Sequence, residues 1–313
     1  MKLQQLRYLR EVVRRGLNVS EAAEALYTSQ PGISKQIRLL EDELGVQILV
    51  RHGKRVVDLT EPGRIILEIS ERMLQDAENL RAVGKEFGKE DTGALAVAAT
   101  PTQARYALPA VVERFVKRHP RVRLNLREGN PAQIAALVTS GAVDVGIISE
   151  SDPQVSALVT LPCDQWNRVV ITPATHPLLK EKMLTLEAVA QYPIVTYEFA
   201  FDAGSPVARA FEMRNIKTNV ALTAVDADVI KRYVEAGLGI GIIANMAFAA
   251  ERDAGLRAID AAHLFDPSMT RIALRRNAYL RRYVYDFIEQ FAPQLSRDVV
   301  EKTMRGPGTD YEL

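Results

Sequence analysis

Two groups of residues in this chain have the types and spacing to work by hydrogen bonding and charge. The first is Ser29-Gln30-Pro31-Gly32 with Ser34, Lys35, Gln36 and Arg38. Hydroxyls and amides bond phosphate oxygens or base edges, and Lys and Arg release counterions from a nucleic-acid backbone. A basic cluster follows in Arg51-His52-Gly53-Lys54-Arg55, whose Arg51, Lys54 and Arg55 suit a DNA backbone or a minor groove. The second group is Thr100-Pro101-Thr102-Gln103, two hydroxyls and an amide able to hold a carboxylate or sulfate without a full positive charge. Ser149 ends another apolar run in the same way, and Asp202 lies in Phe201-Asp202-Ala203-Gly204-Ser205 before a further helix. His52, His119, His176 and His263 are dispersed without ligand spacing, and Cys163 has no second cysteine to join it, so neither a metal site nor a disulfide is expected. Gly237-Leu238-Gly239-Ile240-Gly241 precedes an apolar strand instead of joining a strand to a helix, which makes it a turn and not a dinucleotide loop. No nucleophile-and-base pair or cofactor loop is present, so the expectation is a binding protein that is not an enzyme and needs no cofactor.

The elements that must position the first group are short helices and a hairpin. Leu3, Leu6, Leu9 and Val13 recur at helical spacing and stop near Gly16. Asn18 or Ser20 caps a second helix with Ala22, Ala23 and Leu26 on one face; Ser29 and Pro31 start a third, with Ile33, Ile37, Leu40 and Leu44, that ends at Gly45. Val46 to Val50 and Val56 to Leu59 alternate around Gly53 as a wing. Residues 1–60 therefore predict a winged helix-turn-helix, although the same periodicity fits a three-helix bundle with a solvated polar face. Thr60-Glu61-Pro62-Gly63 then opens a long helix to about Phe87, and residues 61–92 are expected to form a linker helix and hinge. Ile66, Met73 and Leu80 lie seven apart, with Ile69 widening the stripe; it can dock a second copy or pack on the chain's own core.

From Leu95 onward apolar runs alternate with amphipathic stretches, the pattern of an α/β domain. Two lobes of type 2 periplasmic-binding-protein architecture are expected over residues 93–304, lobe I from 93–163 and 268–304 and lobe II from 164–267, with 305–313 as a tail. Ligands in such sheets bind beyond the carboxyl ends of strands, where Thr100, Thr102, Gln103 and Ser149 would lie, with Asp202 across the cleft. Each of these residues taken alone is equally an ordinary cap. Trp166 and Cys163 are expected to pack near the first crossover.

The 313 residues, 47% of them hydrophobic, allow about two globular domains, and one cysteine fits a reducing compartment, the cytoplasm. Neither a signal peptide nor a membrane span is read in the sequence. The 40 positive residues nearly cancel the 39 negative ones, yet the first sixty residues hold ten positive and seven negative, so neutrality overall does not exclude DNA. A transporter's solute-binding protein would explain the lobes and leave the amino-terminal reader unaccounted for.

Asn18-Val19-Ser20-Glu21-Ala22-Ala23, the run Leu26-Tyr27-Thr28-Ser29-Gln30-Pro31-Gly32-Ile33-Ser34-Lys35-Gln36-Ile37, and Leu40-Glu41-Asp42-Glu43-Leu44-Gly45 resemble the DNA-binding domain of LysR-type transcriptional regulators. Within that family they look most like the regulators of sulfur assimilation and cysteine synthesis. Thr100 to Pro109, Leu161-Pro162-Cys163, Trp166-Asn167-Arg168, Ala224 to Lys231 and Tyr285-Asp286-Phe287-Ile288 extend the likeness through almost the whole chain. The resemblance implies double-stranded promoter DNA as partner, a homo-oligomer built as a dimer of dimers, and RNA polymerase as a candidate partner. It also implies a small anionic effector, N-acetylserine, O-acetylserine or sulfate, held by Thr100, Thr102 and Gln103. Ser149 keeps a hydroxyl where a threonine is usual; Pro101 replaces a histidine, and Asp202 stands where threonine is usual. A carboxylate there repels an anion unless it meets a cation, which favours the free amine of O-acetylserine over the acetylated amine of N-acetylserine.

Overall fold

The computed structural model describes residues 1–53, 55–87, 92–149 and 158–306, the side chains of 85–87 excepted. The chain divides into two compact units, Met1–Glu90 and Asp91–Leu313, so the long helix belongs with the reader.

In the first unit α1 (Leu3–Arg14), α2 (Val19–Ala25) and α3 (Gln30–Leu44) precede the wing strands β1 (Leu49–His52) and β2 (Arg55–Leu59) and the long α4 (Glu61–Phe87). Asn18 accepts from Ser20 N and Glu21 N to cap α2, and Ser29 accepts from Gly32 N to cap α3. Gly45, at φ 69°, ends α3 in the left-handed conformation that suits glycine. Leu6, Leu9, Val12, Ile33, Ile37 and Leu40 are buried together, each contributing roughly 1.5–3 kcal/mol of apolar burial. Gly63 lets α4 start hard against the wing: a Cβ there would lie 2.2 Å from the Ile48 carbonyl oxygen.

The second unit opens with β3 (Gly93–Ala99), a π-helical turn at Gln103–Ala107, α5 (Leu108–Arg118), β4 (Val122–Glu128), α6 (Pro131–Ser140), β5 (Val145–Ile148) and β6 (Leu158–Trp166). Next come β7 (Arg168–Pro173), the single turn α7 (Leu186–Val189), β8 (Ile194–Tyr197), α8 (Pro206–Met213), β9 (Val220–Ala224), α9 (Ala227–Glu235), β10 (Ile240–Ala244) and β11 (Leu256–Asp260). Finally β12 (Ser268–Arg275), α10 (Arg282–Phe291) and α11 (Arg297–Arg305) return to the first lobe. Lobe I carries the sheet β4-β3-β5-β12-β6 and lobe II the sheet β11-β7-β10-β8-β9. In each, three neighbouring strands run parallel, and the remaining two are antiparallel to their neighbours.

Strand β6 stays in lobe I until Trp166 and β7 enters lobe II at Arg168, so the first crossover falls at Asn167, slightly beyond the expected 163/164 boundary. Arg168 pins both crossovers. Its Nη2 donates to Ser268 Oγ at 2.8 Å, its Nη1 to the Asp266 carbonyl at 3.3 Å, and its guanidinium lies 4.8 Å from the Trp166 ring centroid. Both residues expected to pack near the first crossover are buried, Trp166 against Arg168 and Cys163 within the lobe I core.

The stripe on α4 divides between two faces. At about 100° per residue, the inward face carries Gly63, Leu67, Ser70 and Leu74. Ile66 and Met73 flank that face and pack, half-buried, on the reader's own core. Ile69 and Leu80 remain exposed, Leu80 by 74%, and Ile65 joins them on the same side. Of the four stripe residues, Ile69 and Leu80 are thus exposed and Ile66 and Met73 rest partly on the reader's core, because periodicity counts apolar positions without telling which of two adjacent faces turns inward.

Candidate functional site

The outer side of α3 meets the wing around a groove of about 460 Å³ lined in part by Gln30, Pro31, Ser34, Lys35, Arg38 and Arg51. A second groove, of about 560 Å³, joins Gln30 to Arg55 and Val56 on β2 and to Arg15, Asn18 and Ser20 around the first helix turn. Gln30 is thus common to both. Ser29, exposed, spends its oxygen on the cap; half-buried Gln36 lines neither groove; Lys54 lies outside the described residues. Arg15, Asn18 and Ser20 were not singled out in the sequence, where Asn18 and Ser20 read only as caps.

Arg51, expected at a DNA backbone or a minor groove, is paired within the reader. Its Nη2 donates to Glu41 Oε2 at 2.9 Å and its Nη1 to Glu41 Oε1 at 3.1 Å. The same carboxylate accepts from the backbone of Ile48 at 2.9 Å and Leu49 at 3.1 Å, fixing β1 to the end of α3. Burial alone would raise the Glu41 carboxyl, but the bonds from Arg51, Ile48 and Leu49 outweigh it and hold the group below its ordinary value. A bidentate pair of this kind braces the wing.

In the second unit the carboxyl ends of parallel strands from both lobes converge. Thr100 follows β3, Ser149 follows β5, and Tyr197 ends β8. Thr100, Thr102, Gln103 and Ser149 are all buried and lie side by side: Gln103 Nε2 reaches Ser149 Oγ at 3.4 Å, and Gln103 N reaches Thr100 Oγ1 at 3.5 Å. Two partners were not expected. Gln103 Nε2 also donates to Thr270 Oγ1 on β12 at 2.9 Å, and Thr102 Oγ1 lies 3.2 Å from Tyr197 Oη across the lobes. Outside this inner cluster a cleft of about 760 Å³ is lined by Ser149, Asn130, Glu198, Asp202, Ser205 and Arg209 among others. Ser149 therefore belongs to both. Asp202 stands exposed in the outer cleft and makes no side-chain hydrogen bond or ion pair among the described residues, so it does not join the buried hydroxyls.

The lobes are tied at further points. Asn130 Nδ2 donates to Glu198 Oε1 at 3.0 Å. From the π turn, Tyr106 Oη donates to Asp228 Oδ1 at 2.5 Å and accepts from Lys231 Nζ at 3.0 Å, while Lys231 pairs with Asp253 at 3.0 Å. Arg105 pairs with Asp226 at 3.0 Å and also with Asp228.

Both units match known families. A family described as "Bacterial regulatory helix-turn-helix protein, lysR family" matches residues 3–64, and one described as "LysR substrate binding domain" matches residues 88–296. The chain belongs to the LysR family of transcriptional regulators. As a LysR-type regulator it carries a DNA-binding head and a sensor domain for a small-molecule effector, and it is not an enzyme. It is 51% identical over 313 residues, the whole of both chains, to the HTH-type transcriptional regulator CysB of Burkholderia cenocepacia. It is 50% identical to SsuR of the same organism, over 97% of this chain and 99% of that one. Among solved structures, the cofactor-binding domain of the Cbl transcriptional regulator superposes with a TM-score of 0.64 at 37% identity, covering 69% of this chain and 95% of that one. No helix among the described residues is long and apolar enough to cross a membrane, and no cluster of potential metal ligands occurs among them.

Proposed function

We propose that this LysR-type regulator acts in the cytoplasm on promoters of sulfate-assimilation and cysteine-synthesis genes, in response to acetylserine or sulfate. One observation carries the effector reading: Thr100, Thr102, Gln103 and Ser149 form a buried set of hydroxyls and an amide at strand ends, and Ser149 opens onto the cleft. Such groups hold an anion by hydrogen bonding without a fixed countercharge. The likeness to CysB over the full chain supports the same reading. On the reader, Gln30, Pro31, Ser34, Lys35 and Arg38 approach the major groove and Arg55 the backbone, whereas Arg51 acts as a brace. Two copies joined through Ile65, Ile69 and Leu80 of α4 present paired reading heads to a dyad-related site, and two such dimers form the assembly. RNA polymerase is the further partner through which a bound regulator acts on transcription.

Calorimetric titration of the whole chain with N-acetylserine, O-acetylserine and sulfate tests the effector. Binding by at least one is expected; none binding leaves a LysR-type regulator with a different ligand. A second reading, control of other sulfur-source genes by another effector, draws on the equal likeness to SsuR and on Asp202 in the cleft. Asp202 suits the free ammonium of O-acetylserine, and equal or tighter binding of N-acetylserine rules that preference out.

A further inference from the structure

One lobe I side chain is seated inside lobe II. Tyr106, on the π turn, packs its ring against the lobe II core, with Lys231 Nζ 5.4 Å and the Arg252 guanidinium 5.3 Å from the ring centroid. Its hydroxyl meets a buried lysine, for Lys231 is only 7% exposed. An ammonium has three protons to place. Two of them go to lobe II acceptors, the Ala247 carbonyl and Asp253 Oδ1, each at 3.0 Å, and the third goes to Tyr106 Oη, also at 3.0 Å. Asp253 is itself fixed, since its Oδ2 accepts from the Ala249 N–H at 2.9 Å. Lobe II thus builds a socket, and lobe I completes it.

This seat can empty without stranding a charge. Asp228 Oδ1 accepts from Tyr106 Oη at 2.5 Å and also lies 2.7 Å from Lys231 Nζ. With Tyr106 withdrawn, the ammonium still has an acceptor and the carboxylate still has a cation, so the socket avoids the large cost of an unpaired buried ion. The neighbouring Arg105 adds pairs to Asp226 and Asp228, but its side chain is 41% exposed, so water and salt screen them. None of these groups lines the outer cleft, which takes Asn130 and Ser149 from lobe I and Asp202 and Ser205 from lobe II. Contact between the lobes at Tyr106 is therefore separable from whatever the cleft itself touches.

We propose that Tyr106 is a releasable key between the lobes, a positioning residue whose seating in the Lys231–Asp253–Asp228 socket sets the balance between joined and parted lobes and, through it, the affinity of the cleft for an effector. This goes beyond the effector reading given above and uses it only to choose the ligands of the test. Two hydrogen bonds to charged groups tie the hydroxyl to the socket; because Asp228 can take its place on Lys231, their loss corresponds to the low end of the usual range, about tenfold in the balance. A ligand held by groups of both lobes binds the joined form, so its apparent affinity falls in proportion to that form's population.

Tyr106→Phe keeps the ring and removes the hydroxyl. Nitroxide labels at Thr139→Cys on α6 and Glu212→Cys on α8, both exposed positions, read the distance between the lobes in the whole chain, diluted with unlabelled chain so that only pairs within one copy contribute. Cys163 is buried and stays unlabelled. Relative to wild type, Tyr106→Phe should enrich a longer-distance population about tenfold. Phe211→Leu, in the lobe II core on α8, should lower stability and leave the distances unchanged. Calorimetry with O-acetylserine, N-acetylserine and sulfate should show the tightest binder weakened by the same factor as the joined population falls. If Tyr106→Phe does not fold, Asp228→Asn, at a half-exposed position, weakens the same hydrogen bond and should shift the distances in the same direction. Identical distances in wild type and variant overturn the key, and so does an equal shift in Phe211→Leu, which marks general loss of stability. Unchanged affinity in a variant whose lobes have parted overturns the link to the cleft. Failure of all three ligands to bind overturns the effector reading instead, and the distances then decide the key by themselves.

Discussion

Replacing Arg51 by methionine separates a brace from a DNA contact. The substitution keeps the apolar stem and removes the two bonds to Glu41, 2.9 and 3.1 Å long. Hydrogen bonds to charged groups are worth about 1.5–3 kcal/mol each when desolvated. Here Glu41 is 3% exposed but the Arg51 side chain is 22% exposed, so water replaces part of the interaction on one side only. A net loss of about 2–3 kcal/mol follows, since Glu41 keeps the Ile48 and Leu49 amides. In a domain of this size that lowers the reader's unfolding midpoint by roughly 10–20 °C. The second readout is the salt dependence of operator binding, where each phosphate contact contributes a slope of about −0.9 in log K against log salt. Arg51→Met should leave that slope unchanged per head, while Lys35→Ala should flatten it by about 0.9, equivalent to roughly threefold to fourfold in affinity between 50 and 200 mM salt. Thermal unfolding by circular dichroism and fluorescence anisotropy on one operator measure both. An unchanged midpoint together with a flatter slope for Arg51→Met would refute the bracing role.

Three further outcomes are expected. Because the Glu41 carboxyl titrates below its ordinary value in the folded reader, its contribution is present above the ordinary carboxylate range and is lost as pH falls through the lowered value; Glu41→Gln should flatten that acid limb in unfolding curves. Burial pushes the Cys163 thiol up to about 12, so the native chain should resist alkylation at pH 8 and react only on unfolding, as mass spectrometry reads directly. Charging the exposed face of α4 with Ile69→Glu and Leu80→Glu should lower the assembly state in analytical ultracentrifugation without changing the reader's unfolding midpoint, whereas Leu74→Ala, in the buried face, should cost about 2–5 kcal/mol of stability.

Much of the fold could be read from the sequence because its signals are local. Caps at Asn18 and Ser29, the left-handed Gly45 and the apolar runs of β3, β8 and β10 each announce themselves within a few residues. Strands β6 and β11 did not. β6 contains Pro162, which ordinarily argues against a strand; it is tolerated because β6 lies at the edge of its sheet, where a missing N–H leaves no ladder bond unmade. β11 is also an edge strand, short and half polar, and α11 buries only Val300 and Met304. The inner cluster was legible where a strand ends in hydroxyls, at Thr100 and Ser149. Its other members come from far along the chain: Thr270 meets Gln103 across 167 residues and Tyr197 meets Thr102 across 95. Nothing local in the sequence marks either. The pairing of Arg51 was hidden for a related reason, since a charge count does not show that Glu41, ten positions earlier, holds it.

The π-helical turn joins the two kinds of contact that a sensor needs. Thr102 and Gln103 face the inner cluster, and two or three residues later Arg105 and Tyr106 reach into lobe II. Tyr106 packs against that lobe's core, and its hydroxyl sits between Asp228 and Lys231, with Lys231 held in turn by Asp253. A π turn inserts an extra residue into helical spacing and is costly enough to persist mainly where the surroundings enforce it. Here both ends are enforced, one by the cluster and one by the neighbouring lobe. Because the segment between them is a single turn and the packed surroundings leave little room for gradual deformation, a displacement of Thr102 or Gln103 must either be absorbed by breaking the Tyr106 contacts or be passed to lobe II as a rigid shift. The geometry therefore links the groups proposed to hold the effector to the set of the lobes without any intervening mobile element.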